Sequence, residues 1–332
     1  MVDGVGDQAR PFLEQAPPPE QDGEVLVVLV DGKGAPMISG EEHRRRRRKR
    51  DERGQNERHA RRLARHREPP RPRRTKGKKS KNAKVAFVGV LYTLRRAPDG
   101  RLDGPIGKRV YGTFESHEAL FQWLRREADK RGYGVKKTLF IADGSEHIWR
   151  HQQRYFPSAE VCLDWYHVAE KVWKAGECLH REGTPELEKW VSEQLQLLRD
   201  GQCSEVLRTL SREHDAIPKT GPGNRGRRER LQAVTKHLTE HQDRMRYDEL
   251  RRQDLDIGSG AVEGAVRNLV GMRLDGPGMR WSRGRSERLL HLRCILLNGQ
   301  WDDFAAHVAA QGSLKLPPAP IATKTHDAKA AA

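Results

Sequence analysis

Glu24-Val-Leu-Val-Val-Leu-Val-Asp31 and Thr138-Leu-Phe-Ile-Ala-Asp143 are two apolar runs that each end at an aspartate. Such runs predict buried strands of a parallel sheet, and neighbouring parallel strands deliver the residues at their carboxyl ends to one edge. A third carboxylate, Glu263, lies in a glycine-rich stretch, Gly258-Ser-Gly-Ala-Val-Glu-Gly264, that predicts the start of a helix. Packed over the same edge, that helix would complete a trio able to hold two divalent cations and activate an oxygen for phosphoryl transfer.

The order of the predicted elements indicates the fold class. Five strands are predicted at residues 24–30, 84–93, 109–114, 137–142 and 160–163, and helices follow at 116–131, at 145–154 and from 164 to about 180. Three strands joined by turns, followed by alternating helices and strands, are the order of a ribonuclease-H-like domain. We therefore predict an α/β fold with a mixed sheet, helices on both faces and the first strand beside the fourth.

The remaining sequence divides into an insertion and two ends. Between residues 184 and 256 apolar residues recur at helical spacing, which indicates an all-helical insertion before Glu263. Residues 24–183 would then form the first part of a catalytic core, and residues 257–305 would form its closing helices. We predict that the leader, residues 1–23, and the tail, residues 306–332, are disordered.

Positive charge is concentrated in one segment. The 332 residues carry a net charge of +17, and between Arg44 and Lys81 there are 20 Lys or Arg against four acidic residues, which gives +16. Self-repulsion and proline predict that this basic arm, residues 41–82, is disordered when free. It is either a solvated linker or an arm that neutralises nucleic-acid phosphates.

Other features exclude several classes of protein. The four cysteines are far apart without a CxxC pair, so buried thiols in a reducing compartment are a better interpretation than a zinc site. The N-terminus lacks the basic start and apolar centre of a signal peptide, and no apolar run approaches the length of a membrane span. We expect a cytoplasmic protein without a membrane partner.

Each candidate site residue also has an ordinary structural interpretation. Asp31 could belong to an Asp-Gly turn, Asp143 could cap a helix, and Glu263 could be favoured by a helix dipole. Asp164 and His167, in Asp164-Trp-Tyr-His167, could be a helix cap and a first-turn residue, or an accessory pair beside the carboxylates. The functional interpretation is favoured because the predicted strand order gathers the trio.

Several longer segments together resemble a known family. They are Ala142-Asp-Gly-Ser-Glu-His-Ile-Trp149, Phe156-Pro157, Leu163-Asp-Trp-Tyr-His-Val168, Ile257-Gly-Ser-Gly-Ala-Val-Glu263, Gly278-Met-Arg-Trp-Ser282, Gly77-Lys-Lys-Ser-Lys-Asn82 and Leu297-Asn-Gly-Gln-Trp-Asp302. With them the chain resembles, from about Glu24 to Phe304, the ISKra-type bacterial insertion-sequence transposases, which belong to the DDE superfamily and are similar to mutator-like transposases.

The resemblance implies a site and partners. Asp31, Asp143 and Glu263 would bind two Mg²⁺ or Mn²⁺ ions, with Asp164 and His167 matching the accessory motif of mutator-like enzymes. The partners would be the element ends and target DNA, bound by a homo-oligomer associated with the bacterial nucleoid. We assign DNA contacts to Arg44, Arg45, Arg46, Arg47, Arg48, Lys49, Arg50, Lys78, Lys79, Lys81, Arg280 and Trp281. Because only thirty residues precede Asp31, we expect the region that recognises transposon ends to be missing.

Two other functions remain open on the sequence. One is a ribonuclease-H-like nuclease that cuts DNA without joining it. The other is a non-catalytic remnant in which the basic arm binds nucleic acid while the core is idle.

Overall fold

The computed structural model describes residues 2–51, 83–276 and 279–311, and its centre is one mixed sheet. The strands are β1 (Val25–Pro36), β2 (Ala83–Arg96), β3 (Leu102–Thr113), β4 (Lys137–Ala142) and β5 (Glu160–Leu163). Their order is β3-β2-β1-β4-β5; β1 pairs antiparallel with β2 and parallel with β4. The first and fourth strands are therefore neighbours, as predicted.

Helices cover the sheet and fill the second half of the chain. They are α1 (Val2–Gln15), α2 (Gly40–Asp51), α3 (His117–Lys130), α4 (Glu146–Tyr155), α5 (Trp165–Gly176), α6 (Pro185–Arg199), α7 (Cys203–Ala216), α8 (Asn224–Glu240), α9 (Tyr247–Arg252), α10 (Gly260–Val266), α11 (Met272–Leu274), α12 (Arg283–Leu297) and α13 (Trp301–Ala310). A 3₁₀ turn spans Gln242–Arg244, and a π-helical segment spans Arg267–Gly271.

Two glycines show that helices lie on both faces of the sheet. Gly89 of β2 packs under Leu124 of α3, whereas Gly112 of β3 packs under Leu290 of α12. Gly89 pairs with Tyr111, so Gly112, the next residue, points to the opposite face. The α/β ribonuclease-H-like fold class is thereby confirmed. The predicted all-helical insertion is also present, because residues 164–259, all described, contain helices and loops but no strand.

Strand β1 is longer than the sequence predicted. Its apolar half, Val25–Val30, is buried and pairs on both sides, whereas residues 31–36 pair only with β2. Asp31 therefore lies inside the strand, and the prediction that the strand stops at Val30 was wrong. The polar residues after Val30 concealed the extension, because antiparallel pairing with β2 continues without an apolar pattern.

The leader is helical, so the prediction of disorder was wrong for residues 2–15. Helix α1 packs against α12 and buries Ala9 and Leu13, and the Trp123 indole donates a hydrogen bond to the Leu13 carbonyl (3.3 Å). Pro11 and two glycines give this segment a low helix propensity, and tertiary packing overrides that weak local preference.

The structure also differs from the predicted boundaries of the basic arm and the tail. Helix α2 occupies residues 40–51, which contradicts disorder there, and residues 52–82 lie outside the described residues. Helix α13 continues the closing helices to Ala310, whereas residues 312–332 lie outside the described part of the chain. Among the described residues, none of the helices combines the length and the apolar character needed to cross a bilayer.

We predict that docking of α1 is a substantial part of the stability of the fold. Leu13 is 1% exposed, and truncating such a leucine removes apolar burial and leaves a cavity, so Leu13→Ala should lower the free energy of unfolding by about 2–4 kcal/mol. Urea denaturation followed by circular dichroism measures this. Leu296→Ala, on an exposed part of α12, is the matched control and should cost below about 1 kcal/mol. Equal effects of the two substitutions would contradict a docked α1.

Candidate active site

Two aspartates meet at the centre of one sheet edge. Val30 of β1 is in register with Ala142 of β4, so the next residues, Asp31 and Asp143, point to the same face of the sheet. Asp31 Oδ1 accepts a hydrogen bond from its neighbour's amide, Gly32 N (2.6 Å). Asp143 Oδ1 accepts one from Ser145 N (2.9 Å), which turns the chain into α4.

Glu263 comes from the helix that crosses this face. It lies in the first turn of α10, and α10 contacts β1 and β2. Glu263 is exposed, and its Oε1 accepts a hydrogen bond from the Ser259 hydroxyl (3.0 Å). The sequence motif therefore places the third carboxylate over the strand that carries Asp31.

The ionisation of Asp31 is influenced by burial and by the charges around it. Burial raises the pKa of Asp31, and the charges of Asp143 and Glu263 raise it further. The Gly32 amide and the charge of His167 act in the opposite direction. The structure thus gathers negative charge around a half-buried carboxyl group, an arrangement that a bound cation would relieve.

Asp164 and His167 form an ion pair in which Asp164 is buried and His167 is half-buried. Asp164 is inaccessible to solvent; its Oδ2 accepts from His167 N (3.1 Å) and contacts the imidazole Nδ1. Burial opposes ionisation of Asp164, but hydrogen bonds from His167 and Ser259 outweigh it and lower its pKa. The same contact raises the pKa of His167 to about 9 against the effect of burial, with additional contributions from the charges of Asp143 and Asp31.

Asp164 also fixes the loop that leads to Glu263. Its Oδ1 accepts a hydrogen bond from Ser259 N (2.7 Å), and the next amide, Trp165 N, donates to Ile257 O (2.9 Å). Asp164 N donates to Ala142 O, next to Asp143 (2.8 Å). One buried carboxylate thus connects the end of β5 to the start of α10, which gives the predicted accessory pair a positioning role in the geometry.

The insertion reaches the site through two histidines that the sequence analysis did not identify. A Cβ added to Gly144 would lie 2.2 Å from His237 Cε1 and 3.0 Å from His241 Nε2, so a larger residue after Asp143 would require these imidazoles to shift. Burial lowers the pKa of His237 to about 4, so its imidazole is neutral at physiological pH. The contact spans more than ninety residues of sequence, and no local pattern indicates it.

The donor set suits a hard cation by its chemistry. Three carboxylates offer oxygen ligands of the kind that Mg²⁺ and Mn²⁺ prefer. Within the described residues, however, no group of three or more His, Cys, Asp or Glu is arranged to hold an ion. The charges of Asp143 and Glu263 act on Asp31, but the three carboxylates of the described chain do not form a set of ligands arranged around one point. The cysteines lie elsewhere: all four are buried and carry free thiols.

The residues predicted to contact DNA divide into three groups. Arg44, Arg45 and Arg48 are exposed on α2, and Arg46, Arg47, Lys49 and Arg50 belong to the same helix. Lys78, Lys79 and Lys81 lie outside the described residues. Arg280 is exposed, and its guanidinium donates a hydrogen bond to Met279 O (2.5 Å).

Trp281 has a structural role in the closing segment. Its indole donates to Leu274 O (3.1 Å), and its backbone bonds to Pro36 O and Ile38 N. The ring is packed against the hydrophobic core. Trp281 thereby joins the beginning of α12 to the end of β1, from which α2 departs.

Comparisons with known proteins add little to this geometry. No protein-family model and no curated protein matches the chain. One solved structure that it resembles is the Drosophila P element transposase strand transfer complex, at 9% identity and a TM-score of 0.25, over 92% of this chain and 74% of that chain. A likeness this weak carries no argument about fold or function.

We predict that His167 titrates near pH 9 and that Asp164 is the cause. In Asp164→Asn the pKa of His167 should fall from about 9 toward its ordinary value of about 6.5, because the anionic hydrogen-bond partner is absent. Nuclear magnetic resonance titration of labelled histidine measures this directly. Glu170→Gln removes an exposed charge on the same helix and should leave the titration nearly unchanged.

The raised pKa of His167 makes the stability of the folded protein depend on pH. A histidine pKa raised by folding stabilises the protein fully below about pH 6.5, and that contribution disappears as the pH rises through about 9. Stability of the parent should therefore decline across this window more steeply than that of Asp164→Asn. Parallel curves for the two proteins would contradict the ion pair.

Proposed function

We propose that this chain is a DDE transposase of the ISKra type, which cleaves DNA strands at the ends of an insertion sequence and transfers them to target DNA. One observation carries the proposal: neighbouring parallel strands bring Asp31 and Asp143 together under the helix that bears Glu263. Burial raises the pKa of Asp31, and the charges of Asp143 and Glu263 add to that rise. This concentration of acidic groups at the edge of an α/β sheet suits metal-assisted phosphoryl transfer.

The proposed chemistry has two displacement steps. Water attacks a phosphodiester at the element end, the bond from phosphorus to the 3′ oxygen breaks, and the departing oxygen takes up a proton to become a 3′-hydroxyl. That hydroxyl then loses its proton as it attacks a target phosphodiester and displaces another 3′ oxygen. No protein nucleophile is needed, so the task of the protein is to position the reacting groups and stabilise charge.

The residues of the chain have distinct roles in this scheme. Asp31, Asp143 and Glu263 would hold two Mg²⁺ or Mn²⁺ ions, which when bound supply charge stabilisation of the attacking and leaving oxygens. Asp164 holds the loop before Glu263 through Ser259. The His167 imidazolium, on α5, offsets part of the negative charge around Asp31.

The proposed partner is DNA, contacted through its phosphates. A net charge of +17 favours nucleic acid, and Arg44, Arg45 and Arg48 are exposed on a helix that departs from the end of β1. Assembly as a homo-oligomer on DNA and a place in the bacterial cytoplasm, on the nucleoid, belong to the same proposal.

A second candidate is a non-catalytic DNA-binding remnant. One observation favours it, since in the described residues the acidic groups do not form a ready-made ion site. Salt-sensitive DNA binding without cleavage in Mg²⁺ or Mn²⁺ would support this candidate. A nuclease on the same fold would instead cut DNA and yield no joined product.

Asp143→Asn should abolish metal-dependent cleavage while preserving the fold. The substitution keeps the side-chain shape and removes a charged ligand, so nicking of supercoiled DNA in Mg²⁺ or Mn²⁺ should fall by at least about 100-fold. The free energy of unfolding without metal should stay equal or rise slightly, because one repulsive charge is gone. Glu146→Gln, which changes an exposed carboxylate three residues away, should cut like the parent. Unimpaired nicking by Asp143→Asn would remove the trio from the mechanism.

The exposed arginines of α2 should make DNA affinity salt-dependent. Replacing Arg44, Arg45 and Arg48 with glutamine should lower the slope of log affinity against log salt by up to about 2.7, or roughly 0.9 for each phosphate that is no longer neutralised. Fluorescence anisotropy with a random duplex measures the slope. The matched control replaces Arg208, Arg212 and Arg225, exposed residues of the insertion, and so removes the same net charge. Equal slopes for the two variants would show that α2 is not a specific contact surface.

A further inference from the structure

Three histidines that the proposed chemistry does not use gather at the carboxyl edge of the sheet. His117 is the first residue of α3, and His147 and His151 lie one turn apart on α4. The His117 ring centroid is 6.0 Å from that of His147, with planes 19° apart, and 5.6 Å from that of His151. Phe87 of β2 supports the His117 ring at 3.9 Å. We call His117, His147 and His151 the imidazole cluster.

Two members of the imidazole cluster are available to a ligand. His151 is engaged, because its Nδ1 lies 2.7 Å from the His147 carbonyl oxygen and its Nε2 lies 3.5 Å from Glu118 Oε2. The ring nitrogens of His117 and His147 have no hydrogen-bond partner within the described part of the chain. His147 is exposed and His117 is half-buried, so both can be reached from solvent.

The cluster lies at the same edge as the carboxylates, on the other face of the sheet. Phe87 is opposite Gly32 in the β1–β2 ladder, so their side-chain positions face away from that of Asp31. Burial lowers the pKa of His117, with smaller contributions from the neighbouring His151 and His147, and the charge of Asp143, at the tip of β4, acts in the opposite direction. A molecule lying across this edge would touch both faces.

The acidic groups nearest the cluster are largely compensated. Glu118 accepts hydrogen bonds from Tyr155 and Gln122 and pairs with Arg154 (3.2 Å). Glu146 pairs with Arg150 (3.1 Å). Of the acidic groups around the cluster, Asp143 is the one without a basic partner within the described residues, and it belongs to the catalytic trio.

We propose that His117 and His147 together bind a backbone phosphate of the DNA that flanks the scissile one. Two near-parallel imidazoles with open nitrogens can donate two hydrogen bonds to phosphate oxygens, and protonation strengthens both. Two adjacent imidazolium charges repel each other, and a bound phosphate offsets this repulsion. DNA binding therefore promotes proton uptake by the cluster. DNA affinity at this point therefore increases as the pH falls through the range in which histidine titrates.

Phosphate is favoured over a transition metal for this cluster. The described residues include no group of three or more His, Cys, Asp or Glu placed to hold an ion, and His151 is already bound to the His147 carbonyl and Glu118. The inference takes its ligand, DNA, from the proposed function but is independent of cleavage. Its test is therefore made in the presence of a chelator.

The experiment measures DNA affinity as a function of pH. Binding of a fluorescein-labelled random duplex is followed by anisotropy in EDTA at constant ionic strength, from about pH 8.5 to about pH 5.5. The test protein is the full chain with His117→Gln and His147→Gln, and the matched control carries His180→Gln and His214→Gln in the insertion. His147→Gln alone, at an exposed position, is the second variant if the double substitution impairs folding.

The expected result is a loss of pH dependence specific to the cluster. The parent and the control should gain about tenfold more affinity over this range than the double variant, which corresponds to a rise of one unit in a histidine pKa on binding. Equal pH profiles for the parent and the double variant overturn the inference. So does a stoichiometric Zn²⁺ site that the double substitution removes while the DNA profile stays unchanged.

The outcomes separate this inference from the proposed function. A protein that binds DNA with the predicted pH dependence but never cleaves it leaves the inference intact and refutes the catalytic proposal. A protein that binds no DNA at any pH refutes both.

Discussion

The parallel pairing of β1 with β4 is the constraint on which the rest of the site depends. Side chains alternate between the faces of a sheet, so the register Val30 to Ala142 decides that Asp31 and Asp143 point the same way. A register one residue different would place the two carboxylates on opposite faces. Six buried aliphatic residues of β1 lie between two neighbouring strands, and a slip of one residue would move charged Glu24 or Asp31 into the buried part of the sheet.

The second constraint is the buried carboxylate of Asp164, which closes the insertion. The chain leaves the core after β5 and returns at Ser259, and Asp164 Oδ1 bonds to the Ser259 amide at that return. Tyr247, near the end of the insertion, also donates a hydrogen bond to Leu163 O (2.9 Å). The entropic cost of closing a loop grows only slowly with its length. A few such contacts are therefore enough to hold Glu263 in a defined position although a long insertion precedes it.

The parts of the molecule that the sequence predicted well are those governed by local patterns. Strands β4 and β5 have their predicted bounds, since each is a short apolar run between turn residues. The start of α3 follows from Ser116, whose hydroxyl accepts a hydrogen bond from Ala119 N.

Features that depend on distant contacts were missed or placed wrongly. Helix α1 forms against α12 despite an internal proline. The second half of β1 exists because β2 pairs with it. The contact of His237 with Gly144 and the imidazole cluster each join residues far apart in sequence, so neither leaves a local signal.

The path of β1 beyond Asp31 separates the three carboxylates from the arginines of α2. The strand ends at Pro36, the fifth residue after Asp31, which at about 3.3 Å per residue corresponds to roughly 16 Å. Base pairs are spaced about 3.4 Å apart along a duplex, so this distance spans about five of them. Trp281 holds the end of β1 against the closing helices, and α2 departs just beyond it. Under the proposed function, the arginines of α2 would contact phosphates about half a helical turn from the one over the carboxylates, and a change in their charge would alter DNA affinity without altering the geometry around Asp31.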